Sequence, residues 1–401
     1  MSQRLTELCT RMAEAGVDAA LLLHPRDVLY YAGTVRPAAL LVSLHSGRSP
    51  AEPDVVLFVR RGFEHAQQEA TVARVEPMSG FARVAEVAVE LGLTGGVMGT
   101  ELDVVPARVY RRLVEVLPAW ELADVSPLVL AQRAVKDEEE IAATRRAVAV
   151  ADAGHRVVPH VVAPGVSELA LAAEVEAAMR RAGHEGYQPL RHPGARGGGV
   201  LLMSGENLAV RGGHGLVVTG AGLSLASPYG ASRRVLQPGD LVVVDIGSTY
   251  AGYTGDESRT FVVGQATEPQ RALFAVAHAA EDVVLEALRP GVAVADLYGI
   301  AEAVVAQGAP PHFAPGSLVL PGFVGHGIGL ELDEPPVLWP RDEACVQAGM
   351  VLAVEIEVSA PAQGVMVKLE DTVVVRQDGY ELLTGAPRKL IECGPYESEN
   401  V

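Results

Sequence analysis

The chain has few cysteines, few aromatic residues and few basic residues. Its 401 residues include three cysteines and 5% aromatics, and 32 Lys and Arg against 50 Asp and Glu give a formal net charge of −18. Three cysteines without a CxxC spacing exclude a disulfide framework and indicate a reducing compartment. The acidic balance argues against nucleic acid or an anionic membrane as a partner, because both are bound by basic surfaces.

Long apolar runs are also missing. No stretch reaches the roughly 18 consecutive apolar residues of a membrane-spanning helix. The first sixteen residues, MSQRLTELCTRMAEAG, have the pattern of an amphipathic helix interrupted by charges, unlike a secretion signal. We therefore expect a cytoplasmic protein with no membrane partner.

The length and the order of the elements predict two domains. Residues 1–132 alternate helical segments with apolar strands at 18–23, 38–44 and 54–59, an order typical of an α/β layer with a mainly parallel or mixed sheet. A charged cluster, KDEEE at 136–140, opens a long helix predicted to reach about residue 155. We place the domain boundary just before this helix, at 132/133.

The second domain contains a weak internal repeat. Segments 163–183 and 289–309 share Pro-Gly-Val, an apolar-striped helix and a glycine stop, and each follows another amphipathic helix, at 137–155 and 268–288. Two pseudo-symmetric halves would place a site at their junction. A chance match between Ala-rich helices is the alternative.

Five residues of the second domain are candidate metal ligands because they interrupt apolar or glycine-rich runs: Asp245, Asp256, His326, Glu355 and Glu370. A carboxylate in an otherwise apolar strand is costly to bury unless a positive charge compensates it. Four carboxylates and one imidazole suit a pair of divalent cations better than a structural zinc ion. The pattern predicts metal-assisted hydrolysis.

Spacing leaves part of this ligand set open. Asp245 and Asp256 can face one another across a hairpin, although an Asp at a strand end also caps turns. Period-two alternation puts Glu355 and Glu357 on the same face of one strand, so spacing does not choose between them. The glycines around His326 would also suit a phosphate-binding loop, but the Lys-Ser/Thr ending of a P-loop is missing.

The strand that carries Glu370 has a similar ambiguity. Lys368 shares its face, whereas Asp371 points to the opposite face. A Lys–Glu pair on a strand is typical of a surface ion pair. The apolar run before it, which also carries an acidic residue, favours a site instead.

Four motifs in chain order carry a family resemblance: DIGSTYAGYTGDESRTF (245–261), GHGIGLELDE (325–334), GMVLAVE (349–355) and VKLED (367–371). They resemble the M24 "pita-bread" metallopeptidases, which include Xaa-Pro aminopeptidase, Xaa-Pro dipeptidase (prolidase), methionine aminopeptidase and creatinase. The resemblance implies an α/β (α+β) fold in two domains. Residues 1–132 would form a creatinase-like N-terminal domain, and 133–401 a pseudo-symmetric pita-bread catalytic domain.

The resemblance also implies roles for the ligands. Asp245 would bind one metal ion, Asp256 and Glu370 would bridge two, and His326 and Glu355 would bind the other. Glu355, which follows GMV, is thereby chosen over Glu357, and it is the expected catalytic proton carrier. The implied cofactors are two divalent ions, Mn²⁺ or Co²⁺ foremost and Zn²⁺ or Fe²⁺ as alternatives, which hold and ionise the attacking water and polarise the scissile carbonyl.

The residues expected around the substrate depart from the family pattern. Pro228 and Asp333 stand where the family's peptidases usually carry histidines. Lys368 replaces an arginine associated with the substrate carboxylate, which keeps the charge but loses the bidentate fork. We take Asp333, Lys368, His192 and His214 as candidate substrate-binding residues.

The five ligands and the resemblance predict a dinuclear metal-dependent exopeptidase that cleaves Xaa-Pro bonds in dipeptides or short peptides. The resemblance also implies a homodimer. One alternative keeps the fold and hydrolyses a non-peptide small molecule, as creatinase-like or ectoine-hydrolase-like enzymes do. Another is a binding module that has lost catalysis, but such proteins usually lose ligands and this chain keeps all five.

Overall fold

A computed structural model describes residues 2–44, 52–189, 191, 196–197, 199–211 and 217–394. The chain divides into two compact units, one of Met1–Arg133 with Arg191–Pro193 and the other of Ala134–Leu190 with Gly194–Val401. None of the helices in the described ranges combines the length and the apolar character that crossing a membrane requires.

The N-terminal unit is a six-stranded mixed sheet with helices. Its elements are α1 (Gln3–Glu14), β1 (Ala19–Leu22), α2 (Pro25–Ala32), β2 (Ala38–Ser43), β3 (Asp54–Val59), α3 (Phe63–Glu69), β4 (Arg74–Pro77), α4 (Phe81–Glu90), β5 (Gly96–Thr100), α5 (Ala107–Val116), β6 (Trp120–Asp124) and α6 (Ser126–Ala134). The strand order is β4-β3-β2-β1-β5-β6. The antiparallel pairs β1–β2 and β2–β3 lie between parallel pairs, which confirms the predicted strands and the mixed sheet.

A buried ion cluster organises this unit. Asp27 at the start of α2 lies between two arginines, with Arg133 Nη1 at 2.6 Å and Arg191 Nη1 at 3.0 Å from its two carboxylate oxygens. Burial opposes the charged form, but the two arginines and His24 outweigh it and hold the pKa of Asp27 well below its usual value. Arg191 therefore belongs with this unit although it lies far along the chain.

The second unit is built on a nine-stranded sheet. Its elements are α7 (Glu138–Val161), α8 (Glu168–Arg181), β7 (Gln188–Pro189), β8 (Arg196–Gly197), β9 (Gly199–Ser204), β10 (Leu241–Tyr250), β11 (Tyr253–Val263), α9 (Glu268–Ala287), α10 (Val294–Gln307), β12 (Gly325–Gly327), β13 (Glu334–Val337), β14 (Val351–Ala360), β15 (Val365–Arg376), β16 (Gly379–Leu382) and β17 (Ile391–Cys393), with short 3₁₀ turns at Gly205–Ala209 and Pro361–Gln363. The sheet order is β13-β12-β14-β15-β11-β10-β9, with β16 beside β15 and β17 beside β11, and β7 pairs with β8 separately.

Two helix pairs flank this sheet, as the internal repeat predicts: α7 packs on α8, and α9 packs on α10. Helix α7 begins at an Asp137 capping box completed by Glu140, and α9 begins at a Thr267 capping box completed by Gln270. Helix α7 continues to Val161, six residues beyond the predicted end. The extension keeps Val158 in the core, and this burial stabilises a turn that contains proline.

Helix α7 packs directly against the backbone of the strand that carries Asp256. A Cβ atom at Gly255 would lie 2.7 Å from the backbone nitrogen of Val148. We expect Gly255→Ala to lower the free energy of unfolding by about 1–3 kcal/mol because the helix has to move away. Gly299→Ala, in α10 with nothing within 4 Å, is the control and should be neutral or stabilising. Chemical denaturation measures both, and equal effects would contradict the close helix–strand contact.

Candidate metal centre

Strand pairing brings the four predicted carboxylates onto one face of the sheet. In the β10–β11 hairpin Asp245 lies opposite Ser258, so Asp256 is its diagonal neighbour on the same face. In the β14–β15 hairpin Glu355 lies directly opposite Glu370. The two hairpins join with Ser258 opposite Glu370, and the Ser258 hydroxyl donates to Glu370 Oε2 at 2.8 Å. The carboxylates thus meet at the seam between the hairpins.

The fifth predicted ligand, His326, reaches this face from β12, which pairs with β14. Its Nδ1 lies 3.0 Å from the carbonyl oxygen of Gly327. Because a carbonyl only accepts hydrogen bonds, Nδ1 is the nitrogen that donates to it, and Nε2 is the nitrogen that faces the carboxylates. Nε2 lies 3.8 Å from Asp256 Oδ2 and 3.6 Å from Glu355 Oε1. The imidazole is therefore oriented so that Nε2 can bind a cation.

Three of these residues fit a divalent cation. The ligand atoms of Asp256, His326 and Glu370 all lie within 4.8 Å of one another, and all three side chains are buried. Glu370 Oε1 has no hydrogen-bond partner among the described residues. A buried anionic oxygen without a donor is unfavourable unless a cation binds it. The set of ligand atoms and this unpaired oxygen therefore both indicate a cation site.

Lys368 lies among three of the four carboxylates. Its ammonium nitrogen contacts Asp245 Oδ2 at 2.8 Å, Glu355 Oε2 at 2.8 Å and Glu370 Oε2 at 3.0 Å. The Lys368 side chain is 5% exposed, so this is not the surface ion pair that a Lys–Glu pattern typically forms. The ammonium donates a hydrogen bond to Asp245 and forms ion pairs with Glu355 and Glu370. The predicted contact with a substrate carboxylate stays a prediction, and it requires one of these ion pairs to open.

The pKa values in the cluster are shifted because several carboxylates lie close together in a buried site. Burial, reinforced by the carboxylates of Glu370 and Asp245, raises the pKa of Asp256 well above its usual value. Burial also raises the pKa of Glu370 to about 8, although the Lys368 charge opposes it. Burial disfavours the ammonium of Lys368, but the surrounding carboxylates outweigh it and raise its pKa well above the usual value. The site is short of positive charge.

The structure separates the two glutamates of β14. Glu355 contacts Lys368 and lies close to His326, whereas Glu357 Oε2 accepts a hydrogen bond from the backbone nitrogen of Val218 at 2.8 Å. Burial raises the pKa of Glu357. Strand alternation gave no signal for this difference, because the partner of Glu357 comes from a distant loop, and only the family resemblance had chosen Glu355.

The predicted substrate-binding residues are only partly placed. Asp333 lies at the rim, with Oδ1 3.5 Å from His326 Nε2 and a side chain that is 52% exposed. His192 and His214 lie outside the described residues. Their roles, and that of Asp333, stay predictions.

A second charged network on the opposite face of the same strands was missed by the sequence analysis. Arg259, fully buried, pairs with Glu257 at 2.8 Å and with Asp371 at 2.6 Å. Arg388 bonds to Asp371 and Glu281, at 2.7 Å each. Alternation was the available signal, since Glu257 and Arg259 face away from Asp256 by period two. This network stabilises the strands on the face opposite the site.

Two family models match almost the entire chain. Metallopeptidase family M24 matches residues 142–377, and the Creatinase/Prolidase N-terminal domain matches residues 4–135. The chain belongs to metallopeptidase family M24. The predicted family, fold class and enzyme class are thereby confirmed, and members of such a family bind divalent metal.

Relatives of similar length include an Xaa-Pro dipeptidase of Pyrococcus furiosus, 28% identical over 394 residues that cover 98% of this chain and 100% of the relative. Among solved structures, an Xaa-Pro dipeptidase from Bacillus anthracis superposes with a TM-score of 0.80 at 26% identity, covering 97% of this chain and 99% of the other. The prolidase from Pyrococcus horikoshii OT3 gives a TM-score of 0.78 at 24% identity, covering 97% and 100%, and shares the fold.

His155 of α7 predicts an acid-sensitive step in stability. Burial, reinforced by the Arg259 charge, lowers its pKa from 6.5 to about 3. As the pH falls below 6.5, the unfolded chain takes up a proton that the folded chain refuses, so stability is lost between these two values. We expect the unfolding free energy of the metal-free protein to fall with decreasing pH more steeply than that of the His155→Gln variant. The difference between the two slopes should be up to about 1.4 kcal/mol per pH unit. Urea denaturation at several pH values measures this, and parallel curves would contradict a neutral buried His155.

Proposed function

We propose that this M24 member is a metal-dependent exopeptidase that hydrolyses Xaa-Pro bonds in dipeptides or short peptides. The observation that carries the proposal is the convergence of Asp256, His326 and Glu370 around one point, with Glu355 Oε1 3.6 Å from the imidazole. Curated relatives that match the chain over 98% of its length are named Xaa-Pro dipeptidase, which supports the same bond specificity.

The proposed cofactors are two divalent cations, with Mn²⁺ and Co²⁺ tested first and Zn²⁺ and Fe²⁺ as alternatives. Asp256, His326 and Glu370 would hold one ion, with Glu355 beside it, and Asp245 would hold the second with Asp256 and Glu370 between them. Divalent metal in such a site lowers the pKa of water and polarises a carbonyl. Carboxylate and imidazole ligands accept several divalent ions, so the donor set does not choose one.

Glu355 is the proposed catalytic proton carrier. Its Oε1 lies 3.6 Å from His326 Nε2, and its Oε2 lies 2.8 Å from the Lys368 ammonium. Oε1 is therefore the oxygen placed to take a proton from the attacking water. The same oxygen can then deliver the proton to the proline nitrogen, which must be protonated to leave as an amine.

The alternative of a non-peptide substrate is not favoured, because the full-length relatives are named as dipeptidases or peptidases. A binding module is disfavoured in the same way, since the family and the relatives are enzymes.

Assembly as a homodimer in the cytoplasm completes the proposal. All three cysteines, Cys9, Cys345 and Cys393, are unpaired, which supports a reducing compartment. Sedimentation of the purified chain tests the dimer: a single species of 42.1 kDa at micromolar concentration would contradict it.

Xaa-Pro cleavage is tested with the metal-loaded chain. We expect release of proline from Xaa-Pro dipeptides with Mn²⁺ or Co²⁺, and loss of activity after chelation with recovery on adding metal back. Xaa-Pro-Yaa tripeptides distinguish an aminopeptidase from a dipeptidase. Failure on both substrate classes with all four metals would overturn the proposal.

Substitution of Glu355 tests the proton carrier. Glu355→Gln keeps the shape but removes the base, so we expect kcat to fall by roughly 10²–10⁴-fold, the usual contribution of general acid–base catalysis. Glu381→Gln on β16, where the carboxylate pairs with Arg376 and Arg145 at the surface, is the control and should retain activity. Similar kcat values for both variants would assign the proton transfer to another group.

A further inference from the structure

Lys368 contacts carboxylates on both sides of the proposed two-ion centre. Its ammonium lies 2.8 Å from Asp245 and 2.8 Å from Glu355, which would bind different ions. The Asp245 oxygen accepts an ammonium hydrogen and so has a lone pair committed to it, and the Glu355 oxygen is held in an ion pair. A dication entering beside the ammonium would also meet its positive charge at short range, in a buried site where charges are weakly screened.

The two oxygens of Glu370 show that the two ion positions differ. Oε2 accepts from Ser258 at 2.8 Å and lies 3.0 Å from the Lys368 ammonium. Oε1, by contrast, lacks a hydrogen-bond partner within the described ranges. The Glu370 side chain belongs to the group formed with Asp256 and His326. One cation position is therefore open, while the Asp245 side is already neutralised by Lys368.

We propose that Lys368 is a built-in competitor for the second metal ion. The chain binds one divalent cation tightly at Asp256, His326 and Glu370, and a second ion at Asp245 enters only when the Lys368 ammonium moves away. This inference rests on the proposed metallopeptidase function, and it makes Lys368 the residue that sets how many ions the site holds.

Glu357 provides the place to which the ammonium moves. It lies directly opposite Lys368 in the β14–β15 register, whereas Glu355 is reached diagonally. Glu357 Oε1 is buried and makes no hydrogen bond to any described residue; the Arg211 guanidinium is 3.8 Å from it. Side chains directly opposite on antiparallel strands have Cβ atoms about 4.5–5.5 Å apart, so the flexible lysine stem can turn from Glu355 to Glu357 without moving the strands.

Metal binding to the chelator-stripped, full-length chain tests the inference without an activity assay. Equilibrium dialysis with Mn²⁺ and elemental analysis should show one ion per chain bound tightly and a second bound more weakly, by about tenfold or more. Electron paramagnetic resonance gives an independent signature: an isolated Mn²⁺ spectrum at one equivalent, and a spin-coupled pair only at high Mn²⁺.

Lys368→Met removes the ammonium at similar length and should tighten the second site to within a few-fold of the first, whereas Lys368→Arg should leave it weak. Glu357→Gln should weaken the second site further when Lys368 is present and have no such effect combined with Lys368→Met. The unsubstituted chain and Glu357→Gln both retain Lys368. Comparing their second-site affinities therefore tests the role of Lys368 even if Lys368→Met does not fold.

Two equally tight ions in the unsubstituted chain, or a second-site affinity unchanged by Lys368→Met and Glu357→Gln, would overturn the role of Lys368 and leave the metallopeptidase intact. Failure to bind any divalent ion would instead overturn the proposed metal centre itself.

Discussion

The electrostatic repulsion among four carboxylates on one face of a buried sheet is the main constraint on the second unit. Asp245 and Asp256 come from one hairpin, and Glu355 and Glu370 from the other. Such a group of like charges is unstable in an apolar core without compensating cations. Lys368 supplies one positive charge, and the proposed divalent ions would supply the others. Binding of the proposed ions would therefore be coupled energetically to the folding of this unit, which is typical of sites that cannot form in the unfolded chain.

The support for this face lies on the other side of the same strands. Arg259 joins β11 to β15 through Asp371, and Arg388 links that pair to Glu281 of α9. On the helix side, Gly255 lets α7 approach the backbone of β11 closely. Because alternate residues of one strand serve the site and its support, a substitution on either face is transmitted to the other. Rigid elements of this kind hold ligands more accurately than loops do.

Much of this arrangement could be predicted from local patterns. Alternation placed Glu355 and Glu370 on inward faces, and the capping residue Asp137 marked the start of the long helix. What local patterns lacked was the register between strands. The diagonal reach of Lys368 to Glu355 depends on which residues lie opposite one another, and the hydrogen bond that ties Glu357 to Val218 depends on where a distant loop lies. That pairing is decided by tertiary packing, so spacing alone left the two glutamates equivalent.

The seam at which Ser258 faces Glu370 joins residues 112 positions apart in the chain. Each hairpin contributes two carboxylates, and neither one alone brings together Asp256 and Glu370. A fragment that contains only one half of the repeat consequently holds half a coordination sphere. The proposed metal site would therefore be complete only when the two hairpins are paired with each other.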